Sequence, residues 1–241
     1  LNHAVVFAAQ QYLGFELCRA LLEKGWTVTA VDDEVDTGDK WMEIGRNANI
    51  QYVPVEKWDR ELPIECRLFL PYYDQVGGRS LQCLSPSVIG NIKSGEDGLP
   101  EIVRIFPNQT ERNIGSNSSD AASATFYLPT LYGGHQPSQF LFAQLLEGKR
   151  ENESKYEDDP SGAIYVKDAA ISILKHSGRQ GTFSLRSLSE NSWEEALSYI
   201  TEDPFAPIEK KRSMIGKPII VHPSKCHESI LKEQKLVMNS F

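Results

Sequence analysis

Ala8, Gln11 and Gly14 recur at every third position between an apolar run, residues 4–7, and a helical pattern, and Asp32 closes a second apolar run, residues 26–31. The chemistry such a set serves is the binding of a pyrophosphate and a ribose. In a strand–turn–helix–strand unit of this kind, a first glycine permits the sharp bend and a second lets the backbone approach the pyrophosphate. A third lets helix and strand pack closely, and an acid about 20 residues further on holds a ribose hydroxyl. Only the packing glycine, Gly14, is present here; Ala8 and Gln11 replace the other two. The Gln11 side chain is expected to project into the space a pyrophosphate needs. Ala8, Gln11, Gly14 and Asp32 are therefore the candidate cofactor positions, in a turn that advertises the fold and opposes NAD(P). Asp32 has two readings, a ribose-binding carboxylate selecting NAD or an acid capping a buried strand.

The elements that must position these residues follow from hydrophobic periodicity. Further apolar strands are predicted over residues 50–55, 66–70, 101–106 and 124–128. Their near-continuous apolar character suits a parallel sheet covered on both faces. Helices are predicted over 15–24, with Leu17, Cys18, Leu21 and Leu22 inward and Gly25 as stop, and over 138–146, 168–175 and 193–200. Residues 149–162 read as an exposed loop. Beyond Thr201, Pro204, Pro207, Pro218 and Pro223 divide the chain into short pieces. The fold class is α/β, a Rossmann-like doubly wound parallel sheet, trimmed, with a small C-terminal lobe. Residues 1–130 form the nucleotide-binding-type core; residues 131–241 supply the remaining sheet elements and the lobe, in one continuous unit.

The turn resembles the G-x-x-G-x-x-G start of the extended short-chain dehydrogenase/reductase family, the nucleotide-sugar epimerase/dehydratase type. Residues 124–134, ending Tyr132-Gly133-Gly134, resemble that family's sixth strand and its R-P-x-x-Y-G-P turn. Residues 163–170, with Val166-Lys167-Asp168, resemble its F-V-H-V-D-D-V-A segment, and residues 181–185 and 192–197 resemble the strand and helix that come next. The resemblance implies chemistry from a Tyr-x-x-x-Lys pair, with a Ser or Thr after the fifth strand polarising the substrate. No tyrosine in this chain has a lysine four residues later; Tyr72, Tyr73, Tyr127, Tyr132 and Tyr165 are followed there by Val76, Gly77, Leu131, Gln136 and Ala169. Thr110 is the nearest hydroxyl to the serine position. The interval 111–123, which in the family holds the helix carrying Tyr and Lys, is rich in Ser, Asn and Asp and reads as loop. Between residues 55 and 66 there is room only for a turn, where a parallel crossover normally takes a dozen or more residues. The catalytic set is absent, and Thr110, Tyr132 and His135 remain as substitute candidates.

A net charge of −8 with no extended Lys/Arg stripe argues against a nucleic-acid surface. Glu209-Lys210-Lys211-Arg212 reads as a solvated face. No apolar run reaches the roughly 18 residues of a membrane span, and no signal-peptide layout is seen, so a cytoplasmic protein is expected. Cys18, Cys66, Cys83 and Cys226 lack C-x-x-C spacing and read as free thiols. His222, Cys226 and His227 share a stretch without a second ligand pair, so no metal site is expected. The Asn108, Asn117 and Asn152 sequons read as ordinary polar loop. The function expected is that of a degenerate epimerase/dehydratase-like protein, a pseudoenzyme binding a small molecule or a protein partner through the inherited cleft, with homo- or hetero-oligomers open. The alternative is an active NAD(P)-dependent enzyme with a displaced catalytic set.

Overall fold

The computed structural model describes residues 2–75, 78–93, 100–108, 123–149, 158–201 and 215–239. The elements run β1 (His3–Phe7), α1 (Tyr12–Glu23), β2 (Thr27–Asp32), β3 (Ile50–Pro54), β4 (Cys66–Pro71), α2 (Pro86–Ile89), β5 (Glu101–Pro107), β6 (Ser123–Leu128) and β7 (Thr130–Tyr132). They continue as α3 (Leu141–Leu146), β8 (Ala163–Tyr165), α4 (Val166–His176), β9 (Gly181–Ser187), α5 (Ser192–Ser198), β10 (Lys217–Val221) and α6 (His227–Met238). Eight strands form one sheet in the order β10-β9-β6-β5-β4-β1-β2-β3, and β7 and β8 form a second. The stretch β3-β2-β1-β4-β5 is parallel throughout, which is the strand order of a dinucleotide-binding sheet. The chain divides into two compact units, the first Leu1–Phe106, Glu111–Phe126 and Ala170–Thr182, the second Pro107–Thr110, Tyr127–Ala169 and Phe183–Phe241.

In the first unit, β1 is buried on both faces because every residue from Ala4 to Phe7 is apolar. Val5, Phe7, Val31, Leu68 and Leu70 build one side of its core, and the Trp58 ring meets Phe7 edge-on at 5.1 Å. The strands are where periodicity predicts them, but the crossovers are poorer in helix than alternation suggests. Among the described residues, only α1 is a full-length helix before β5. A single 3-10 turn, Val55–Lys57, and irregular chain join β3 to β4, and the four-residue α2 lies between β4 and β5. The link from β3 to β4, residues 55–65, is too short for a crossover helix.

In the second unit, two expectations are corrected. The last part of the presumed exposed loop is buried: Asp158 and Asp159 are 5% and 7% exposed. Asp158 accepts from the Leu141 amide at the start of α3 and from Trp193 Nε1, and Asp159 accepts from Asn108 Nδ2. The C-terminal stretch is more regular than its prolines imply. Pro218 lies in the terminal strand of the sheet, β10, where a missing N–H is tolerated, and α6 runs twelve residues. Among the described residues, no helix is long and apolar enough to cross a membrane.

Candidate functional site

The first site is the turn between β1 and α1. Ala8 takes the bend at φ 51°, a left-handed conformation that favours glycine. Gly14 sits where any side chain would collide: a Cβ there would stand 2.0 Å from the Ala8 carbonyl oxygen. Gln11 is the N-cap of α1, yet its side chain makes no cap hydrogen bond. It turns to Asp32 instead, Nε2 donating to the two carboxylate oxygens at 3.2 and 3.4 Å. Asp32 is fully buried and also accepts from the amides of Gln10 and Asp33, each at 2.7 Å. Burial pushes its carboxyl up, and those N–H donors oppose the shift. The neighbouring Gln10 side chain accepts from the Gly38 amide and donates to the Tyr52 hydroxyl, fastening the next loop over the turn.

The amides at the N-terminus of α1 are taken by a residue from elsewhere in the chain. Asp74 lies in the 3-10 turn Tyr72–Asp74 that leaves β4, and β4 pairs with β1. That adjacency delivers its carboxylate to the start of α1, where Oδ1 and Oδ2 accept from the Leu13 and Gly14 amides, both at 2.8 Å. These are the orphan donors of a helix start, the groups that offer hydrogen bonds and positive potential to an anion. Burial raises the Asp74 carboxyl to about 7, against the pull of both amides and of Lys40. Lys40 itself is lowered to about 8 by burial, offset by Glu16 and Asp74. Its Nζ lies 4.2 Å from the Phe15 ring centroid and donates to the Gln11 carbonyl at 3.2 Å. Trp41, packed against Phe15 and Tyr52, anchors the segment carrying it.

The groups that a nicotinamide dinucleotide would use at this turn are engaged within the chain. The dinucleotide's pyrophosphate would meet a buried carboxylate on the helix amides, and its ribose would find both Asp32 oxygens occupied. Asp32, Asp33 and Cys83 bring ligand atoms within 4.8 Å of one another. The Asp33 carboxylate accepts from the Gln82 and Cys83 amides, both at 2.6 Å. These carboxylates thus cap loops.

The second site lies wholly within the second unit. β7 and β8 pair so that Tyr132 stands beside Tyr165. The Tyr132 hydroxyl is 2.7 Å from His227 Nδ1, at the start of α6, and His227 Nε2 is 3.7 Å from Glu195 Oε2 on α5. Burial lowers the His227 pKa, with Glu195 opposing, and burial raises that of Tyr132, reinforced by Asp168. At neutral pH the imidazole is uncharged and the phenol protonated. With the Glu195 carboxylate facing Nε2, the network assigns the imidazole proton to Nε2, so that the Tyr132 O–H donates to Nδ1. The three groups border a cleft of about 290 Å³ walled by Ile164, Tyr165, Leu188, Val221 and Pro223, with Asp168 also on its lining.

Tyr132 lines this cleft and His135 does not. Thr110, Asn117, Asn152 and the cluster Glu209-Lys210-Lys211-Arg212 lie outside the described residues. Sequence reasoning missed Asp74 and Glu195, and weighed His227 only as a metal ligand beside His222 and Cys226. The family comparison of the Tyr132 turn points near the cleft, but nothing local pairs Glu195 and His227 with Tyr132.

No protein-family model and no curated protein matches the chain. Solved structures share its fold at low identity. A UDP-glucuronic acid 4-epimerase from Bacillus cereus, solved with NAD, is similar with a TM-score of 0.63 at 13% identity, covering 99% of each chain. A dTDP-glucose 4,6-dehydratase from Bacillus anthracis, also with NAD, gives 0.59 at 11%, covering 100% of this chain and 97% of that one. A UDP-glucose-4-epimerase from Stenotrophomonas maltophila gives 0.54 at 14%, covering 100% and 98%. The fold of this chain is therefore the Rossmann-like α/β fold found in NAD-dependent nucleotide-sugar epimerases and dehydratases.

Proposed function

We propose that this chain is a degenerate relative of those enzymes that performs no hydride transfer and acts by binding a ligand in the cleft of its second unit. The observation that carries the reading is the Asp74 carboxylate seated on the Leu13 and Gly14 amides. A carboxyl group of the chain itself competes intramolecularly with any pyrophosphate for those amides, and in its ionised form its like charge repels the phosphates. Loss of the Tyr-x-x-x-Lys pair and the engagement of Asp32 by Gln11 point the same way. The test is calorimetric titration with NAD⁺, NADH, NADP⁺ and NADPH of the wild type and of Gln11→Gly and Asp74→Ala variants. The expected result is no heat from wild type. Binding by wild type with a Kd of roughly 100 μM or better, about −5.5 kcal/mol, would overturn the reading.

A second reading, an active enzyme with a displaced catalytic set, is favoured by one observation, the chain Glu195–His227–Tyr132. A carboxylate, an imidazole and a phenol in that order can hold and pass a proton. Under that reading Tyr132→Phe abolishes turnover of a nucleotide-sugar substrate and leaves its binding intact.

A further inference from the structure

The cleft beside Tyr132 combines apolar walls with carboxylates on its lining. Asp168, 7% exposed, uses Oδ2 to accept from the Ser224 amide at 2.9 Å. Glu195 accepts from Ser189 Oγ through one oxygen and turns the other toward His227. No lysine or arginine lines the cleft among the described residues. Lys167 and Lys225, each 5.8 Å from the Tyr165 ring centroid, both pair with Glu233, at 3.3 and 2.6 Å. The serines on the wall are engaged internally: Ser187 Oγ donates to the Ser189 carbonyl, and Ser192 Oγ accepts from the Ala163 amide. The lining thus offers two negative charges, two aromatic rings and apolar wall.

We infer that this cleft binds a small organic cation, a protonated primary amine on an apolar or aromatic body. The inference rests on the proposed binding function and names the ligand class of that site. Three features select this class. Phosphate or carboxylate ligands would face Asp168 and Glu195 with no lining cation to neutralise them, and like charge disfavours both. A protonated amine meets the Asp168 and Glu195 carboxylates on a lining that also carries Tyr132 and Tyr165, and an aromatic lining favours a cation in a partly dry site. The neutral imidazole adds no repulsion. Size is the third: a cleft of about 290 Å³ lies at the lower end of ligand sites, which suits one ring and a short chain and not a nucleotide sugar.

The experiment is calorimetric titration of the full chain with three probes of matched shape: phenethylammonium, 2-phenylethanol and 3-phenylpropionate. The expected result is that the ammonium binds about tenfold or more tighter than the alcohol, and the carboxylate weakest. Glu195→Gln, at a half-exposed position, should reduce the preference for the ammonium severalfold. Leu188→Trp, at an exposed position on the wall, should weaken the ammonium by narrowing the cleft. Equal or tighter binding of the alcohol or the carboxylate would overturn the cationic ligand class. Silence from all three probes, or an ammonium affinity unmoved by Leu188→Trp, would overturn the site. The nicotinamide titration fails or succeeds separately, so the two readings can be told apart.

Discussion

The turn after β1 and the cleft beside Tyr132 are both built from carboxylates, tyrosines and helix starts, and they differ in where those groups are satisfied. At the turn, Asp32, Asp33 and Asp74 each accept from two backbone amides, and Gln11 covers what remains of Asp32. At the cleft, Glu195 and Asp168 border a space, with His227 and Tyr132 hydrogen-bonded beside it. A fold that places ligands at the carboxyl ends of its strands can close one such place from within and leave another open. The lesson is that a retained turn is evidence for packing, while function has to be sought where polar groups still face solvent.

The comparison breaks most readily at Gly14. Gly14→Ala should cost about 3 kcal/mol or more, because the new methyl would meet Ala8 backbone rather than a side chain that can move; urea unfolding measures it. Next is Asp74→Ala, expected to cost about 2–3 kcal/mol by leaving two helix-start amides without acceptors. Asp74→Asn should cost about half as much, since one acceptor remains. Failure of Asp74→Ala to destabilise would mean that the turn is not closed by that carboxylate.

The same residue sets a pH dependence. Its carboxyl is raised to about 7 in the folded chain, against about 4 in the unfolded one. Between those values the folded state holds a proton that the unfolded state lacks. This contribution to stability is therefore present below about pH 4 and is lost as pH rises through about 7. Asp74→Asn should flatten that part of the stability–pH curve. At the cleft, Tyr132→Phe should cost about 1 kcal/mol by removing the partner of His227 Nδ1, and an NMR titration should show the His227 pKa moving. The smallest effect belongs to Ala8→Gly. Relief of the left-handed alanine and the added chain entropy nearly cancel, leaving a change within about 1 kcal/mol.

Much of the first unit was legible from local pattern. The strands from β1 to β5 are short apolar runs between turn residues, and such runs reveal themselves without knowledge of their neighbours. Gly14 was legible for the same reason, since the spacing from strand to helix fixes the approach that excludes a side chain. The α6 helix was obscured by Pro218 and Pro223, which lie before it and break the pattern around it without entering it. Asp158 and Asp159 sit in a charged stretch that reads as exposed, and only their amide and indole partners, many residues away, explain their burial.

By itself the sequence determined that a strand–turn–helix unit with a packing glycine begins the chain, that two of the turn's glycines are replaced, and that no Tyr-x-x-x-Lys pair follows. Those are properties of neighbouring residues and of spacing. Tertiary structure alone decided what fills the turn and what lines the cleft. Asp74 lies 60 residues from Gly14 and Tyr132 lies 95 from His227, and each pair meets because pairing of strands and packing of helices bring distant segments together. No local periodicity encodes the side chain that will complete a hydrogen bond across such a distance.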